Sequence, residues 1–428
     1  MKELPIKRLS SKLRSTGFFH VFGSSAINKV ISFASGIVLV RIISKAEYGV
    51  FSYANNILSF FVLASGFGAV SGVLQLCSEA KDSSKRKQIY SYGCRVSFFA
   101  NLVLAAAILL VALLVPFKIE GANFCLATMA LLPCVMLVYE MQGVYLRTEL
   151  RNKDYAVSNT FATIAIFVLS CVLAWFFSVN GLIAAKYISS LLALLFIAWR
   201  YKVYYPIGGK TKPDKATMKA FWGISSISML NNGLSRLMYL LDIFVLGIVL
   251  PDSSVIASYQ VATNIPTALA FIPAAIVVYI YPYFANHKDD KTWVRKRYLQ
   301  VSVALGIGCS ALSLAMIVFA PWIIKIVFGE AYQDCVPVFR ILSFSFAVSS
   351  VFRVLPGNIL VTQRRLKFNL FVAVLSSALN TVLNVLFIQR FHAIGAAYAT
   401  LITVVITGAL DVWYLFRILR TGEKAPKA

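Results

Sequence analysis

Long apolar runs alternate with short basic clusters along the whole of this 428-residue chain. The runs lie near 18–43, 50–76, 91–115, 122–146, 155–178 and 182–199, then 221–249, 255–284, 298–320, 335–361, 369–388 and 394–416. As a helix, each reaches across about 30 Å of hydrocarbon, which takes about 20 residues. The pattern predicts an all-α integral membrane protein with 12 transmembrane helices. No stretch remains that could fold as a soluble domain, so any chemistry belongs inside the bundle.

Two of the runs carry a polar stripe. In the first, Ser25, Asn28/Lys29, Ser32 and Ser35/Gly36 step by three and four, as one helical face requires. In the seventh, Ser225, Ser228, Asn232, Ser235/Arg236, Tyr239 and Asp242 do the same. The chain also echoes itself. Gly49 to Ile57 opens the second run much as Ala257 to Ile265 opens the eighth, with Asn56 and Asn264 matched. Ala184-Ala185 and Ala396-Ala397 follow tight outer turns in the two halves. The expectation is two six-helix lobes related by a pseudo-two-fold along the membrane normal. A basic tail (1–17), lobes at 18–200 and 221–417, a linker at 201–220 and a tail at 418–428 complete the layout.

A net charge of +24 would suggest nucleic acid on a soluble fold, but 59% hydrophobic residues and a mean hydropathy of +0.77 exclude that class. Placement explains the charge. Thirty Lys and Arg lie in the tails and alternate loops, against only Lys45, Lys118, Lys325 and Arg390 in the others. That bias sets both termini in the cytoplasm. Leu4, Ile6, Leu9 and Leu13 permit a short interfacial helix in the basic tail, and a disordered tail is the equal alternative. The first run is too long for a cleaved signal segment. Seven cysteines without paired spacing read as small core residues, and three distant histidines form no metal motif.

A mid-bilayer charge costs roughly 2.5–3.5 kcal/mol on insertion scales, so such residues face an interior path or a partner. Arg41, Arg95, Glu140, Lys186 and Arg340 lie close enough to run ends to snorkel, and Asp411 is ambiguous. Lys29, Arg236, Asp242 and Arg353 remain. Lys29 and Arg236 fall within one position of each other when the repeats are aligned. They predict a water-filled, cation-lined cavity between the lobes. The alternative is static pairing of Arg236 with Asp242 or Asp411. Pro266, Pro273 and Pro282 in the eighth run, and Pro337 and Pro356 in the tenth, predict kinks in moving or merely packed helices. Gly208-Gly-Lys-Thr211 lacks the opening glycine of a phosphate loop, with Tyr204 in its place. No nucleophile–base pair, cofactor motif or metal cluster has usable spacing.

The junction Arg41-Ile-Ile-Ser-Lys-Ala-Glu47-Tyr48-Gly49-Val-Phe51 resembles the R-x-L-x-x-x-E-Y-G-x-F signature of bacterial polysaccharide-repeat flippases, with Ile43 in place of leucine. These belong to the multidrug/oligosaccharidyl-lipid/polysaccharide exporter superfamily. Asp242 to Gly247 followed by Tyr259 and Ala262, Gly329-Glu-Ala-Tyr332, and Gly395-Ala-Ala397 are similar to later stretches of that family. The resemblance implies a V-shaped pair of lobes with a central cavity, in the bacterial inner membrane. It implies export of an undecaprenyl-diphosphate-linked oligosaccharide repeat, with membrane lipids, a polysaccharide polymerase and a chain-length regulator as partners. The cations of the family's lumen correspond here to Lys29, Arg236 and Arg353.

Such a cargo has a polar head that cannot cross hydrocarbon alone, whereas its tail can stay in the bilayer. Lys29 and Arg236 are expected to hold the diphosphate by charge-assisted hydrogen bonds. Asn28, Asn231, Asn232 and Tyr239 are candidate contacts for the cargo's polar head. Asp242 is the candidate ion-coupling residue, because surroundings readily bias a lone intramembrane carboxylate between its protonation states. A drug exporter of the same fold would favour lumen carboxylates for organic cations. A membrane-embedded polymerase or acyltransferase would need a large outer loop or an embedded catalytic cluster. An enzyme is therefore not expected.

Overall fold

The computed structural model describes residues 18–206 and 212–421, and every regular element among them is helical. The tail at 1–17, the Gly208–Thr211 motif and the last residues of the C-terminal tail lie outside the described residues. Among the described residues, eight helical stretches, or nine if one bent pair is joined, are long and apolar enough to cross a membrane. The chain is a multi-pass membrane protein.

The first unit takes in residues 1–117 and 121–233. It contains α1 (Phe18–Ile42), α2 (Lys45–Val62), α3 (Ala69–Glu79), α4 (Ser83–Leu114), α5 (Ala122–Thr128), α6 (Leu132–Thr148) and α7 (Asn152–Tyr201). Ser44 caps α2, accepting from the Glu47 amide at 3.3 Å and donating to Glu47 Oε2 at 2.6 Å. The glutamate of the E-Y-G signature is thus the third helical residue and completes a capping pair with Ser44. The second apolar run is broken between α2 and α3, where Gly66, Phe67 and Gly68 all have positive φ. Buried Asn101 of α4 stitches that break, accepting from the Gly66 amide (2.7 Å) and donating to the Pro133 carbonyl (2.8 Å). Its polar atoms replace the hydrogen bonds that the irregular backbone gave up.

The second unit takes in 118–120 and 234–428. The division falls inside α8 (Lys215–Val249), beyond the polar linker. Phe221 on the first part of α8 is 1% exposed and packs with Ala69, Val73, Ile89 and Cys94 of the first unit. Tyr205 beside it donates to the Cys94 carbonyl at 2.6 Å. The start of α8 is therefore built into the first core. α9 (Ser253–Leu269), α10 (Phe271–Asn286), α11 (Lys291–Val318), α12 (Ala320–Val327), α13 (Val336–Ser349), α14 (Leu355–Thr362) and α15 (Leu366–Thr421) follow. Pro266 sits one turn before the α9–α10 break, and Pro337 lies in the first turn of α13. Between α13 and α14, Ser350–Val354 winds as a π-helix just ahead of Pro356.

α7 and α15 run for 50 and 56 residues, and each covers two apolar runs. Each is interrupted at one residue, Ser178 (φ 49°, ψ −128°) and His392 (φ 51°, ψ −133°). Three residues on, a Cβ on Gly181 would collide with the Leu173 carbonyl, and one on Gly395 with the Phe387 carbonyl. Eight residues of continuous helix span about 12 Å, so both chains fold back on themselves. Gly181 and Gly395 thus stand at the same distance from their breaks, whereas Ala184-Ala185 begins six residues after its break and Ala396-Ala397 four after its own. Small apolar residues are too repetitive in membrane helices to fix such a register.

Candidate functional site

In the second unit, α8 places Asp242 where its side chain is 7% exposed. Tyr259 of α9 donates to Asp242 Oδ2 at 2.6 Å, and Thr400 of α15 donates to the same oxygen at 2.7 Å. Asn384, on the other arm of α15, donates to Oδ1 at 2.7 Å and to Asn380 Oδ1 at 3.0 Å. Asn380 and Asn384 are one turn apart, so their side chains stack on one face. Asn384 Oδ1 is buried and has no hydrogen-bond partner among the described residues. Every donor reaching the carboxylate is neutral, and no cation pairs with it among the described residues. The pairing of Asp242 with Arg236 is not what holds it.

Chemically the cluster can do two things. A carboxylate accepting three hydrogen bonds can take a proton once one hydroxyl rotates. The oxygens of Asp242, Asn380, Asn384 and Thr400 are also hard donors of the kind that hold a hard metal cation. No group of three or more His, Cys, Asp and Glu side chains among the described residues suits a metal.

The other expected site residues are spread over both units. Lys29 lies on α1 and is exposed, and neighbouring Asn28 is 8% exposed. Both polar atoms of the Asn28 amide are buried without a partner among the described residues. Asn232, at the end of the first unit, and Arg236, in the second, are exposed. The side chains of Asn231 and Tyr239 lie outside the described residues. Arg353, on the π-helical segment, is half-buried and donates from Nη2 to Ser376 at 3.2 Å. Its charge also acts on Asp411, which is 4% exposed and lies against Gly357. Asp411 is therefore an interior residue.

Lys186 departs from its expected role. Its ammonium does not extend toward water: it donates to Asn55 of α2 at 2.5 Å and lies 4.9 Å from the centre of the Phe51 ring. The snorkelling expectation fails because the fold-back at Ser178 sets Lys186 about two turns into the second arm of α7, facing α2. Asn380, Asn384 and Thr400 were missed by sequence reasoning, whereas Lys186 was noticed and assigned to the membrane boundary. The four-residue spacing of the two asparagines within an apolar run was the available signal.

With this geometry in hand, the chain compares as follows. It is 24% identical over 368 residues to the lipopolysaccharide biosynthesis protein WzxC of Escherichia coli, covering 81% of this chain and 71% of that one. It is also 24% identical over 241 residues to a Haloferax volcanii protein named "Probable low-salt glycan biosynthesis flippase Agl15", covering 55% and 50%. Among solved structures, an inward-facing multidrug resistance MATE family transporter of the MOP superfamily superposes with a TM-score of 0.77 at 12% identity, over 94% of this chain and 96% of that one. The lipid II flippase MurJ, inward closed, gives 0.72 at 14% identity over 93% and 89%. The fold is thus that of the MOP-superfamily transporters. The family model described as "Polysaccharide biosynthesis protein" matches residues 38–337, and the chain belongs to that family.

Proposed function

We propose that the chain is a flippase that moves lipid-linked oligosaccharide across the bacterial inner membrane by alternating access, coupled to a proton or cation at Asp242. The cargo in this reading is an undecaprenyl-diphosphate-linked repeat unit, with Lys29, Arg236 and Arg353 receiving the diphosphate and Asn28, Asn231, Asn232 and Tyr239 its polar head. Twelve crossings in two six-helix lobes, 18–200 and 221–417, with both termini cytoplasmic, provide the frame. The observation that carries the coupling is the Asp242 cluster: a buried carboxylate in the apolar helical stretch Leu240–Val249, satisfied among the described residues by neutral donors from α9 and both arms of α15. A purely structural carboxylate at this position has an apolar replacement of equal packing value. A coupling carboxylate has none.

Family membership and the resemblance to WzxC support the polysaccharide setting. The cationic balance of the interior charges favours an anionic cargo over the organic cations of drug exporters. The test is complementation of a flippase-deficient strain. Lys29→Ala/Arg236→Ala should abolish surface polysaccharide while the protein remains inserted. Lys81→Ala and Lys288→Ala, on the basic loops, should export normally. Wild-type surface polysaccharide from the double variant overturns the role given to these two cations.

A further inference from the structure

The first unit holds a half-buried cation at the position where the second unit holds Thr400. Ser178 and His392 break their helices with nearly the same dihedrals, and Gly181 and Gly395 close on the carbonyl eight residues back. Eight residues past each break stand Lys186 and Thr400. The facing helix gives the same correspondence independently. Phe51 and Tyr259 occupy matched positions in the repeated stretches at 49–57 and 257–265. Lys186 lies over the Phe51 ring, whereas Thr400 and Tyr259 converge on Asp242. One unit thus encloses a carboxylate at this place and the other presents an ammonium.

The surroundings of Lys186 indicate what it takes. Among the described residues its ammonium bonds one neutral acceptor, Asn55 Oδ1, and no carboxylate pairs with it. That amide oxygen engages one of the ammonium's three N–H groups, and the others meet no acceptor among the described residues. Asn55 accepts through Oδ1, which leaves the NH2 of the same amide as a further donor. An ammonium next to an amide donor, edged by an aromatic ring, suits an oxyanion.

We propose that Lys186 and Asn55 form an oxyanion-binding site in the first unit, which takes a phosphate or carboxylate group of the transported ligand. The site is separate from Lys29, Arg236 and Arg353, and the assignment rests on the transport reading. A single lysine binds as a point charge and accepts either oxyanion, so the probes must separate the sources.

The test uses the full chain in nanodiscs, titrated with undecaprenyl diphosphate, inorganic pyrophosphate and glucuronate. Wild type should bind at least one of them. Lys186→Met should weaken that binding at least tenfold without lowering the melting temperature, Lys186→Arg should retain most of it, and Asn55→Ala should weaken it less. Binding of pyrophosphate names the diphosphate as the group taken, glucuronate names an acidic sugar, and undecaprenyl diphosphate alone names the diphosphate with its lipid tail. If Lys186 only ties α2 to α7, Lys186→Met melts earlier and binds every probe as wild type does, which overturns the site. Wild type that binds none of the three overturns it too. Should Lys186→Met fail to insert, Lys186→Gln and Asn55→Ala carry the same comparison. Lys29→Ala/Arg236→Ala is titrated alongside. Its loss of binding with Lys186→Met unaffected removes this inference and leaves the transport reading standing.

Discussion

Replacing Asp242 by asparagine separates the charge of this residue from its shape. Asparagine keeps one oxygen to accept from Asn384 and turns an NH2 toward Tyr259 and Thr400, whose hydroxyls can rotate to accept. All three contacts survive as neutral bonds. A charge-assisted bond contributes roughly 1.5–3 kcal/mol and a neutral one roughly 0.5–1.5. Three such exchanges weaken the network by roughly 3–5 kcal/mol. Removing the buried charge returns several kcal/mol of desolvation, so the net change in stability is small. Asp242→Ala differs: it strands Tyr259, which is 1% exposed, and Asn384, which is 0% exposed. Thr400 loses its acceptor as well. At roughly 1–3 kcal/mol per orphaned group, alanine should destabilise by about 3–9 kcal/mol. The assays are thermal melting in detergent and surface-polysaccharide complementation. Asp242→Asn should melt near wild type yet fail to export and lose pH-dependent ion flux in vesicles, whereas Asp242→Ala should melt far earlier. An asparagine variant that exports normally refutes coupling, and one that melts like alanine shows the charge to be structural. Asp242→Asn/Arg236→Gln should not recover export, since Arg236 is not what holds the carboxylate.

Cysteine accessibility should place Lys85, Lys212, Lys296 and Lys424 in the cytoplasm and Lys118 and Asp252 outside, and consistent reversal refutes the orientation. Gly395→Ala should lower the melting temperature, because the new methyl meets the Phe387 backbone, while Gly308→Ala, with open space around it, should be neutral or stabilising. A Gly395→Ala variant that melts like wild type would place the fold-back elsewhere. Asp214 caps α8 by accepting from the Thr217 amide (3.2 Å) and hydroxyl (2.5 Å), which holds its carboxyl below the usual range. Its capping is therefore complete above the unfolded value and is lost as pH falls through the depressed folded one. Protection of the Thr217 amide, corrected for intrinsic exchange, should drop there in wild type and be absent in Asp214→Ala at every pH.

The apolar runs made the helices legible, since length and hydrophobicity alone decide what spans a bilayer. The two outer turns were legible as the gaps after 178 and 388, but the residue that reverses each was not, because neither serine at 178 nor histidine at 392 advertises positive φ as glycine would. Asp242 stood out as a charge in an apolar run. Its partners did not, because isolated Asn, Thr and Tyr in membrane helices are ordinary interhelical contacts. Pairing with Arg236 was doubtful from sequence, at six residues apart on one helix, and the structure gives the carboxylate neutral donors from other helices instead. Lys186 was misread because distance from the end of an apolar run says nothing about which way a lysine turns.

The one-residue reversals at Ser178 and His392 have a practical reach beyond transport. Each joins two long helices without a loop, and the backbone on either side is already packed against itself through Gly181 or Gly395. An epitope tag, protease site or fluorescent insert placed there has no slack chain to occupy and must pry the helices apart. The stretch from Val115 to Gly121 is different: it is non-helical, and Asn123 secures its near end by donating to the Val115 carbonyl. Labels meant to report on this protein in living cells belong at the exposed start of that stretch, at Val115 and Pro116, and not at Ile119, which is fully buried.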